Sequence, residues 1–112
     1  MARVRSEATK QLLRGQVYFV ALPQIGDKPL LIVSNNVRNA ALPTVLAVRV
    51  TSAPKPALSS IVLLTKDDPL HGRVLCDDVL LVPKDRLKRR AGALSNASMR
   101  AVDEALKVSL AL

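Results

Sequence analysis

The chain has 112 residues, 49% of them apolar, which suits one domain with a modest core and excludes disorder throughout the chain. Lys and Arg number 17 against 9 Asp and Glu, a net charge of +8 that favours a polyanionic partner, above all nucleic acid. The single cysteine, Cys76, excludes an internal disulfide and, in the absence of any Cys/His cluster, a structural zinc site.

Further protein classes are excluded by what the sequence lacks. Tyr18 and Phe19 are the only aromatic residues, so base stacking can contribute little to nucleic-acid binding, and phosphate and base-edge contacts must contribute more. No run is as long and apolar as a membrane span, and the start of the chain holds no apolar segment of a secretion signal. We therefore expect a cytoplasmic protein that contacts no membrane and needs no cofactor.

The N-terminal part of the sequence divides into an arm and a first strand. Residues 1–13 are polar and basic and predict a flexible arm. The folded domain, residues 14–112, begins at Arg14. A β-rich run at 16–22 predicts the first strand, and Pro23 predicts the loop that follows it.

Four further apolar runs follow, each too short for a helix and bounded by turn residues. They predict strands at 30–34, 45–51, 61–64 and 74–82, and the last of these is also the last strand expected. Residues 35–43 predict a polar connection, and residues 52–59, rich in proline, predict a loop.

The C-terminal region predicts the clearest element. Residues 83–88 predict one short helical turn. Ser95 is a good N-cap, and residues 96–110 contain no Gly or Pro. Apolar residues recur there at helical spacing and predict a face that packs on the sheet: Met99, Val102, Leu106 and Leu110. Five short strands and a terminal helix indicate a mainly β fold, a small and strongly bent barrel with a C-terminal α-helix.

Three residues predict a phosphate site. Alternation along a strand places Arg49 and Thr51 on one face, where a cation and a hydroxyl can hold a phosphate. Lys28 stands at a strand entrance and can clamp a phosphate as a point charge. The alternative is a threonine in its favoured β setting, a solvent-facing arginine and an ordinary loop lysine.

Two polar clusters are candidates for base recognition. One consists of Asn35, Asn36, Arg38 and Asn39, because carboxamides pair with base edges of unstacked RNA, although asparagine also favours turns. Asp77 and Asp78 form the other. Adjacent strand residues point to opposite faces, so these two are a poor metal pair. A structural or base-recognition role for one of them stays open beside a solvated face.

The densest basic run and two single residues complete the candidates. Lys84, Arg86 and Lys88, followed by two more arginines, can hold an RNA backbone or form a solvated face. His71 is the only histidine, and we expect it to be exposed in a loop, which rules out a ribonuclease that needs two histidines. We expect Cys76 to be a small buried residue.

Five segments carry a family pattern in a fixed order. They are RGQVY at 14–18, KPLLIVSNN at 28–36, VRVTS at 48–52, VLCDDV at 74–79 and a terminal segment with DEAL at 103–106. In register, they resemble RGDVY (or RGEIW), RPxxVVSN, VPVTS, VxADQV and the terminal helix of the MazF/PemK family, the ribonuclease toxins of type II toxin–antitoxin pairs. Each motif is short, but the order is kept from Arg14 to the end.

The resemblance implies an SH3-like barrel of the CcdB/MazF/Kid type that forms a homodimer. It implies a sequence-specific, metal-independent endoribonuclease, in which the ribose 2′-OH attacks the adjacent phosphate and leaves a 2′,3′-cyclic phosphate and a 5′-hydroxyl. The implied partners are single-stranded RNA, in a groove at the dimer interface, and an antitoxin. The acidic, disordered C-terminal segment of that antitoxin would occupy the groove, an association that a charge of +8 favours.

The family's catalytic pair is carried over with one change. The threonine of VPVTS is matched by Thr51, whereas Lys28 stands in place of the arginine before the Pro of RPxxVVSN. Lysine can stabilise charge on a phosphorane but lacks the planar fork of arginine. Because Arg49 stands where the family often has Pro, our hypothesis is that Lys28 and Arg49 share the binding of phosphate. The sequence does not identify the proton acceptor for the 2′-OH.

Two other functions stay open at this point. One is a CcdB-like toxin of the same fold that binds DNA gyrase and cuts nothing. The other is a non-catalytic RNA-binding barrel. The segments around Lys28 and Thr51, together with the basic loops, favour the nuclease.

Overall fold

The computed structural model describes residues 11–112, which form one antiparallel sheet and two α-helices. The strands are β1 (Gln16–Leu22), β2 (Gly26–Ile32), β3 (Thr44–Thr51), β4 (Ile61–Leu63), β5 (Arg73–Pro83) and β6 (Leu87–Ala93). The helices are α1 (Asn36–Ala41) and α2 (Asn96–Leu110), and a 3-10 turn covers Lys84–Arg86. No helix in this part of the chain is long and apolar enough to cross a membrane.

The strands lie in the order β4-β5-β3-β2-β1-β6, and each neighbouring pair is antiparallel. The mainly β fold with a C-terminal helix is therefore confirmed. Six strands are present where the sequence predicted five. Because β4 and β6 stand at opposite ends of the order, the barrel is open along these two edges.

Alternation along the strands gives the sheet two apolar faces, and each face has its own core. On one face, Val17 and Leu31 pack with Val102 of α2. Their chain neighbours Tyr18 and Leu30 point the other way into a second cluster. Burial of each large aliphatic side chain contributes about 1.5–3 kcal/mol relative to leaving it exposed. This packing fixes the central strands of the sheet, and the candidate functional residues stand near the ends of those strands.

Helix α2 confirms the predicted bounds and N-cap, and Met99, Val102 and Leu106 of the predicted apolar face pack on the core. The Ser95 hydroxyl oxygen accepts a hydrogen bond of 3.1 Å from the Ser98 amide. Val102 and Ala105 are buried against the sheet, and Ser98 is buried with them. Leu110, also predicted on this face, is instead 53% exposed in the last turn of the helix.

Three predicted boundaries are wrong for local reasons. The polar connection at 35–43 contains α1, a helix of 6 residues that Asn35 caps. Strand β2 begins at Gly26 and not at residue 30, because Lys28 pairs with Val20 across the hairpin. Residues 74–82 do not form the last strand. After the 3-10 turn the chain extends again into β6, which pairs with β1.

The predicted N-terminal arm falls mostly outside the described residues. Residues 1–10 lie outside that range. Leu12 is 8% exposed and packs in the second core cluster, and the Leu13 amide donates to the Gln16 side chain over 2.9 Å. The folded chain therefore extends further toward the N-terminus than the predicted start at Arg14.

Candidate active site

A cleft of about 270 Å³ opens between the start of β2, the end of β3 and the loop that leads into β5. Its polar and charged lining residues are Asp27, Lys28, Arg49, Thr51, Ser52 and His71. The three residues predicted to bind phosphate, Lys28, Arg49 and Thr51, thus line one cleft. They come from two adjacent strands, since β2 pairs directly with β3.

Strand β3 presents Arg49 and Thr51 on the same side, as their spacing predicted. Both are half-buried and line the cleft, whereas Val50 between them is 4% exposed and lies in the core. Burial of Val50 therefore holds its two neighbours toward solvent.

The hydrogen bonds at Thr51 and Arg49 leave both side chains able to bind an anion. The Thr51 hydroxyl oxygen accepts from the Ala53 amide over 3.1 Å, so its own hydrogen remains to be donated. One guanidinium nitrogen of Arg49 contacts an Asp78 carboxylate oxygen at 3.2 Å, and the Arg49 side chain is still 40% exposed. Within residues 11–112, the Lys28 ammonium forms no ion pair. Two cations and a hydroxyl donor can thus converge on one phosphate.

The two adjacent aspartates of β5 sit in an irregularity of the sheet. Val48 pairs with Val79, but the next residue, Arg49, pairs with Leu75, so the intervening residues of β5 bulge out of the ladder. Asp78 contacts Arg49 from this bulge, while Asp77 accepts from the Ser60 hydroxyl over 2.7 Å. The prediction that they face different ways is confirmed. Asp78 helps to fix Arg49 beside the cleft.

The loop of residues 64–72 between β4 and β5, here called the His71 loop, closes one side of the cleft. Gly72 lies directly against Thr51, because a Cβ at position 72 would be 2.2 Å from the Thr51 carbonyl oxygen. The backbone there has φ of +127°, which favours glycine. His71, the residue before it, is consequently held at the cleft wall.

Asp68 anchors the His71 loop to the start of α2. Its carboxylate accepts from the Ser95 amide at 2.8 Å, the Ser98 hydroxyl at 2.6 Å and the Thr65 amide at 2.9 Å. Burial alone raises the pKa of Asp68, but the hydrogen bonds from Ser98, Thr65 and Ser95 outweigh it and lower the pKa from 3.8 to about 2. The loop is therefore tied to the same helix that covers the core.

The asparagine cluster lies around α1, and none of its residues lines the cleft. The Asn35 side-chain oxygen caps α1 by accepting from the Arg38 amide at 2.8 Å. The Asn36 side-chain oxygen accepts from the Arg14 amide at 2.7 Å. The Arg38 guanidinium donates to the Thr44 carbonyl and hydroxyl oxygens at 2.9 and 3.1 Å. These contacts hold α1 against its surroundings and leave the Asn35 and Asn36 amide N–H groups to other partners.

The basic run follows the 3-10 turn into the edge strand β6. Arg86 and Lys88 are exposed, and Lys84 is half-buried. Arg89, on the same strand, lies over the Phe19 ring with 4.3 Å between the guanidinium carbon and the ring centroid. Like the asparagines, these residues lie outside the cleft. Lys84 and Arg86 belong to the 3-10 turn, whereas Lys88 and Arg89 belong to the edge strand β6.

Two single residues behave as expected, and one of them has more significance than the sequence indicated. Cys76 is fully buried, and burial, with the nearby Asp77 charge, raises the pKa of its thiol to about 11. His71 is exposed in a loop, as predicted, but it lines the cleft with Thr51. The one signal in the sequence was its position before Gly72, whose close approach to β3 only the fold reveals.

Comparisons with known proteins agree on one family. The sequence pattern of the family described as PemK-like, MazF-like toxin of type II toxin-antitoxin system matches residues 13–110. The chain is 40% identical over 100 residues to endoribonuclease MazF4 of Mycobacterium tuberculosis, covering 89% of this chain and 93% of that protein. It is 29% identical over 109 residues to endoribonuclease EndoA of Bacillus subtilis, covering 88% and 94% respectively.

Solved structures give the same result. A mycobacterial endoribonuclease in complex with its cognate antitoxin superimposes with a TM-score of 0.86 at 39% identity, covering 90% of this chain and 96% of that one. A MazE–MazF structure from Deinococcus radiodurans, at 19% identity and a TM-score of 0.79, shows the shared fold, with 92% of this chain and 98% of that one covered. By sequence pattern, curated relatives and fold, this chain belongs to the PemK-like, MazF-like family of toxins of type II toxin–antitoxin systems.

Proposed function

We propose that this endoribonuclease cuts single-stranded RNA at short sequences, without a metal ion, by attack of a ribose 2′-OH on the adjacent phosphate. The observation that carries the proposal is the convergence of Lys28, Arg49 and Thr51 on one cleft. The protein's charge of +8 draws a polyanionic substrate to it. The cleft is small and open, which suits one phosphate and its flanking riboses in an extended chain.

The three side chains have two different roles at the phosphate. Lys28 and Arg49 neutralise the negative charge that builds up on the nonbridging oxygens, and the Thr51 hydroxyl donates a hydrogen bond to one of them. The 2′-oxygen bonds to phosphorus as the bond from phosphorus to the 5′-oxygen breaks. The products are a 2′,3′-cyclic phosphate and a 5′-hydroxyl. Asp78 positions Arg49 through the 3.2 Å contact.

Recognition of the RNA sequence comes from residues outside the cleft. The amide N–H groups of Asn35 and Asn36 pair with base edges, and an aspartate of the β5 bulge, Asp77 or Asp78, accepts from a base amine. The backbone phosphates contact Lys84, Arg86 and Lys88, which carry no sequence information. Arg38 contributes positive charge beside the asparagines while its guanidinium holds Thr44.

The proposal includes a second copy of the chain and an antitoxin as partners. Leu81 on β5 is 63% exposed and stands opposite Leu46, an apolar pair on the sheet surface that a second copy would cover. A monomer by light scattering at micromolar concentration would contradict this pairing. The antitoxin's acidic, disordered segment competes with RNA for the cationic surface. A reducing cytoplasm suits the single buried thiol.

The experiment that tests the proposal incubates the purified protein with single-stranded RNA in EDTA. We expect cleavage at a short recurring sequence, with a 2′,3′-cyclic phosphate and a 5′-hydroxyl at the new ends. Intact RNA together with blocked supercoiling by DNA gyrase would overturn the proposal in favour of a gyrase poison. Binding without products would indicate a non-catalytic RNA-binding protein.

Substitution of the cleft residues tests their assigned roles. We expect Arg49→Ala to lower the rate of cleavage about 100-fold or more, because a desolvated charge contact to the transition state is lost. The free energy of unfolding should fall by less than about 1 kcal/mol, since the contact of Arg49 with Asp78 is half-exposed. Thr51→Ala should have a comparable effect on the rate. Cleavage unchanged by Arg49→Ala would refute the sharing of phosphate binding with Lys28.

A further inference from the structure

The cleft contains one imidazole, and the fold holds it against the strand that carries Thr51. We propose that His71 is the group that accepts the proton of the attacking 2′-OH. The inference rests on the RNA cleavage proposed above and adds to it the residue that activates the nucleophile. His71 lines the cleft together with Lys28, Arg49 and Thr51.

The reaction needs a proton acceptor that the phosphate-binding residues do not supply. At neutral pH Lys28 and Arg49 are cations without a lone pair to offer, and the Thr51 hydroxyl is a donor to the phosphate. The other polar side chains on the cleft wall are Asp27, Ser52 and His71. Because the Ser52 hydroxyl is a very weak base, His71 and Asp27 remain as proton acceptors. Imidazoles as a class titrate near neutral pH and are effective general bases there, whereas exposed carboxylates as a class are weak bases.

Three contacts fix the His71 loop beside Thr51. Asp68 ties the loop to Ser95 and Ser98 at the start of α2. Pro69 packs so closely on β6 that a Cβ at Gly92 would lie 2.8 Å from the Pro69 Cβ. Gly72 abuts the Thr51 carbonyl.

Residues 68, 69 and 72 therefore bracket His71 on both sides, so the backbone that carries the imidazole is fixed relative to the phosphate-binding strand. An exposed histidine on an unanchored loop would not have this restriction. Fixed geometry of this kind is what proton transfer requires of a general base.

The proton balance of the step is complete without another reactant. The neutral imidazole takes the proton from the 2′-OH as the 2′-oxygen bonds to phosphorus. The departing 5′-oxygen takes a proton from water and becomes the 5′-hydroxyl. The imidazolium then returns its proton to the hydroxide or water that remains. The charged groups that share the cleft with His71 are Asp27 and Lys28 from β2 and Arg49 from β3.

The test compares single-turnover cleavage by the wild type with that by His71→Ala and His71→Gln from about pH 5 to about pH 9. The substrate is a short RNA that contains the mapped cleavage sequence. RNA affinity is measured separately on the same sequence with a 2′-O-methyl group at the cut site. Asp67→Asn, an exposed carboxylate of the same loop, is the control and should behave as the wild type.

We expect both His71 variants to cleave about 100-fold more slowly or worse at neutral pH, with the affinity for the methylated RNA changed less than about threefold. The wild-type rate should rise with pH, because only the neutral form of an imidazole can accept a proton, and this rise should be missing in both variants. Added imidazole should restore part of the rate of His71→Ala.

Two results would overturn the inference while leaving the proposed function intact. One is wild-type cleavage with both His71 variants retaining full rate and the same pH profile. The other is that the rise of the cleavage rate with pH disappears in Asp27→Asn but is kept in the His71 variants. Failure of the wild type itself to cut RNA would instead refute the proposed function.

Discussion

Asp68 shows how one side chain can hold two distant parts of the chain together. It accepts hydrogen bonds from Thr65 in its own loop and from Ser95 and Ser98 at the start of α2. Its pKa lies at about 2, below the ordinary 3.8, so the folded state favours the charged carboxylate. A group whose pKa is depressed on folding stabilises the fold above the unfolded pKa and loses that contribution as pH falls toward the folded one.

We expect Asp68→Asn to lower the free energy of unfolding by about 1–2 kcal/mol at pH 7, since the carboxylate is partly solvated and its charge-assisted bonds are lost. The difference in free energy of unfolding between the wild type and Asp68→Asn should narrow as pH falls from about 4 to about 2, where the wild-type carboxylate takes up its proton. Urea unfolding at several pH values across this range measures that difference, with Asp67→Asn as the control. A gap that stays constant down to pH 2 would show that the charge does not stabilise the fold.

At the scale of elements, the active site depends on a close approach of two backbones. The His71 loop meets the end of β3 at Gly72, where no side chain fits and φ is +127°. Gly26 at the β1–β2 hairpin also has positive φ, at +95°, but nothing lies within 4 Å of the position of its Cβ. Substitution of Gly26 therefore introduces backbone strain alone, whereas substitution of Gly72 introduces strain together with a steric conflict.

We predict that Gly26→Ala costs about 1–2 kcal/mol of folding free energy, from strain alone. Gly72→Ala should cost more than about 3 kcal/mol, because the new Cβ must displace the Thr51 carbonyl. Urea midpoints of the two variants provide the comparison. Equal losses would mean that the His71 loop moves away from β3 at little cost.

The elements that the sequence predicted well are those with strong local signals. Helix α2 has an N-cap at Ser95 and no internal breaker, and both of its ends are as predicted. Strand β6 was missed because Lys88, Arg89 and Arg90 give it no apolar alternation. It exists through pairing with β1 and lies at an edge, where charged side chains are tolerated. Local pattern cannot report a strand whose stability comes from its partner.

The same distinction applies to the candidate site. The shared face of Arg49 and Thr51 followed from strand spacing alone, and the structure places both in one cleft. The position of His71 did not, because it depends on Gly72 contacting β3, a contact between residues far apart in sequence. The pairing of Asp78 with Arg49 likewise depends on the β5 bulge, which no local sequence pattern predicts.

At the scale of the whole molecule, the excess of positive charge lies partly outside the cleft. The 3-10 turn and β6 carry a run of cations from Lys84 to Arg90, and all of them except Lys84 are exposed. Each cation that neutralises a phosphate releases a counterion, so affinity for single-stranded RNA falls with salt by a slope of about −0.7 per contact in a double-logarithmic plot. These residues should therefore set affinity and leave sequence preference to the asparagines and to the aspartates of the β5 bulge.

We predict that replacing Lys84, Arg86 and Lys88 together by Gln reduces the magnitude of this slope by about 2 and weakens binding of all sequences alike. Fluorescence anisotropy with 2′-O-methylated RNA across a salt series measures the slope. Arg100→Gln with Lys107→Gln, on α2, is the matched control and should leave it unchanged. A slope unaffected by the triple substitution would place the RNA backbone elsewhere on the protein.

The open edge of β6 has a further physical consequence. One side of its backbone has no strand partner among residues 11–112, and unpaired edges of this kind invite other chains to add to a sheet. Lys88, Arg89 and Arg90 are all exposed along it, so two such edges repel each other electrostatically. We expect this repulsion to oppose pairing of two β6 edges at high protein concentration, and to weaken once an anionic polymer lies along the edge.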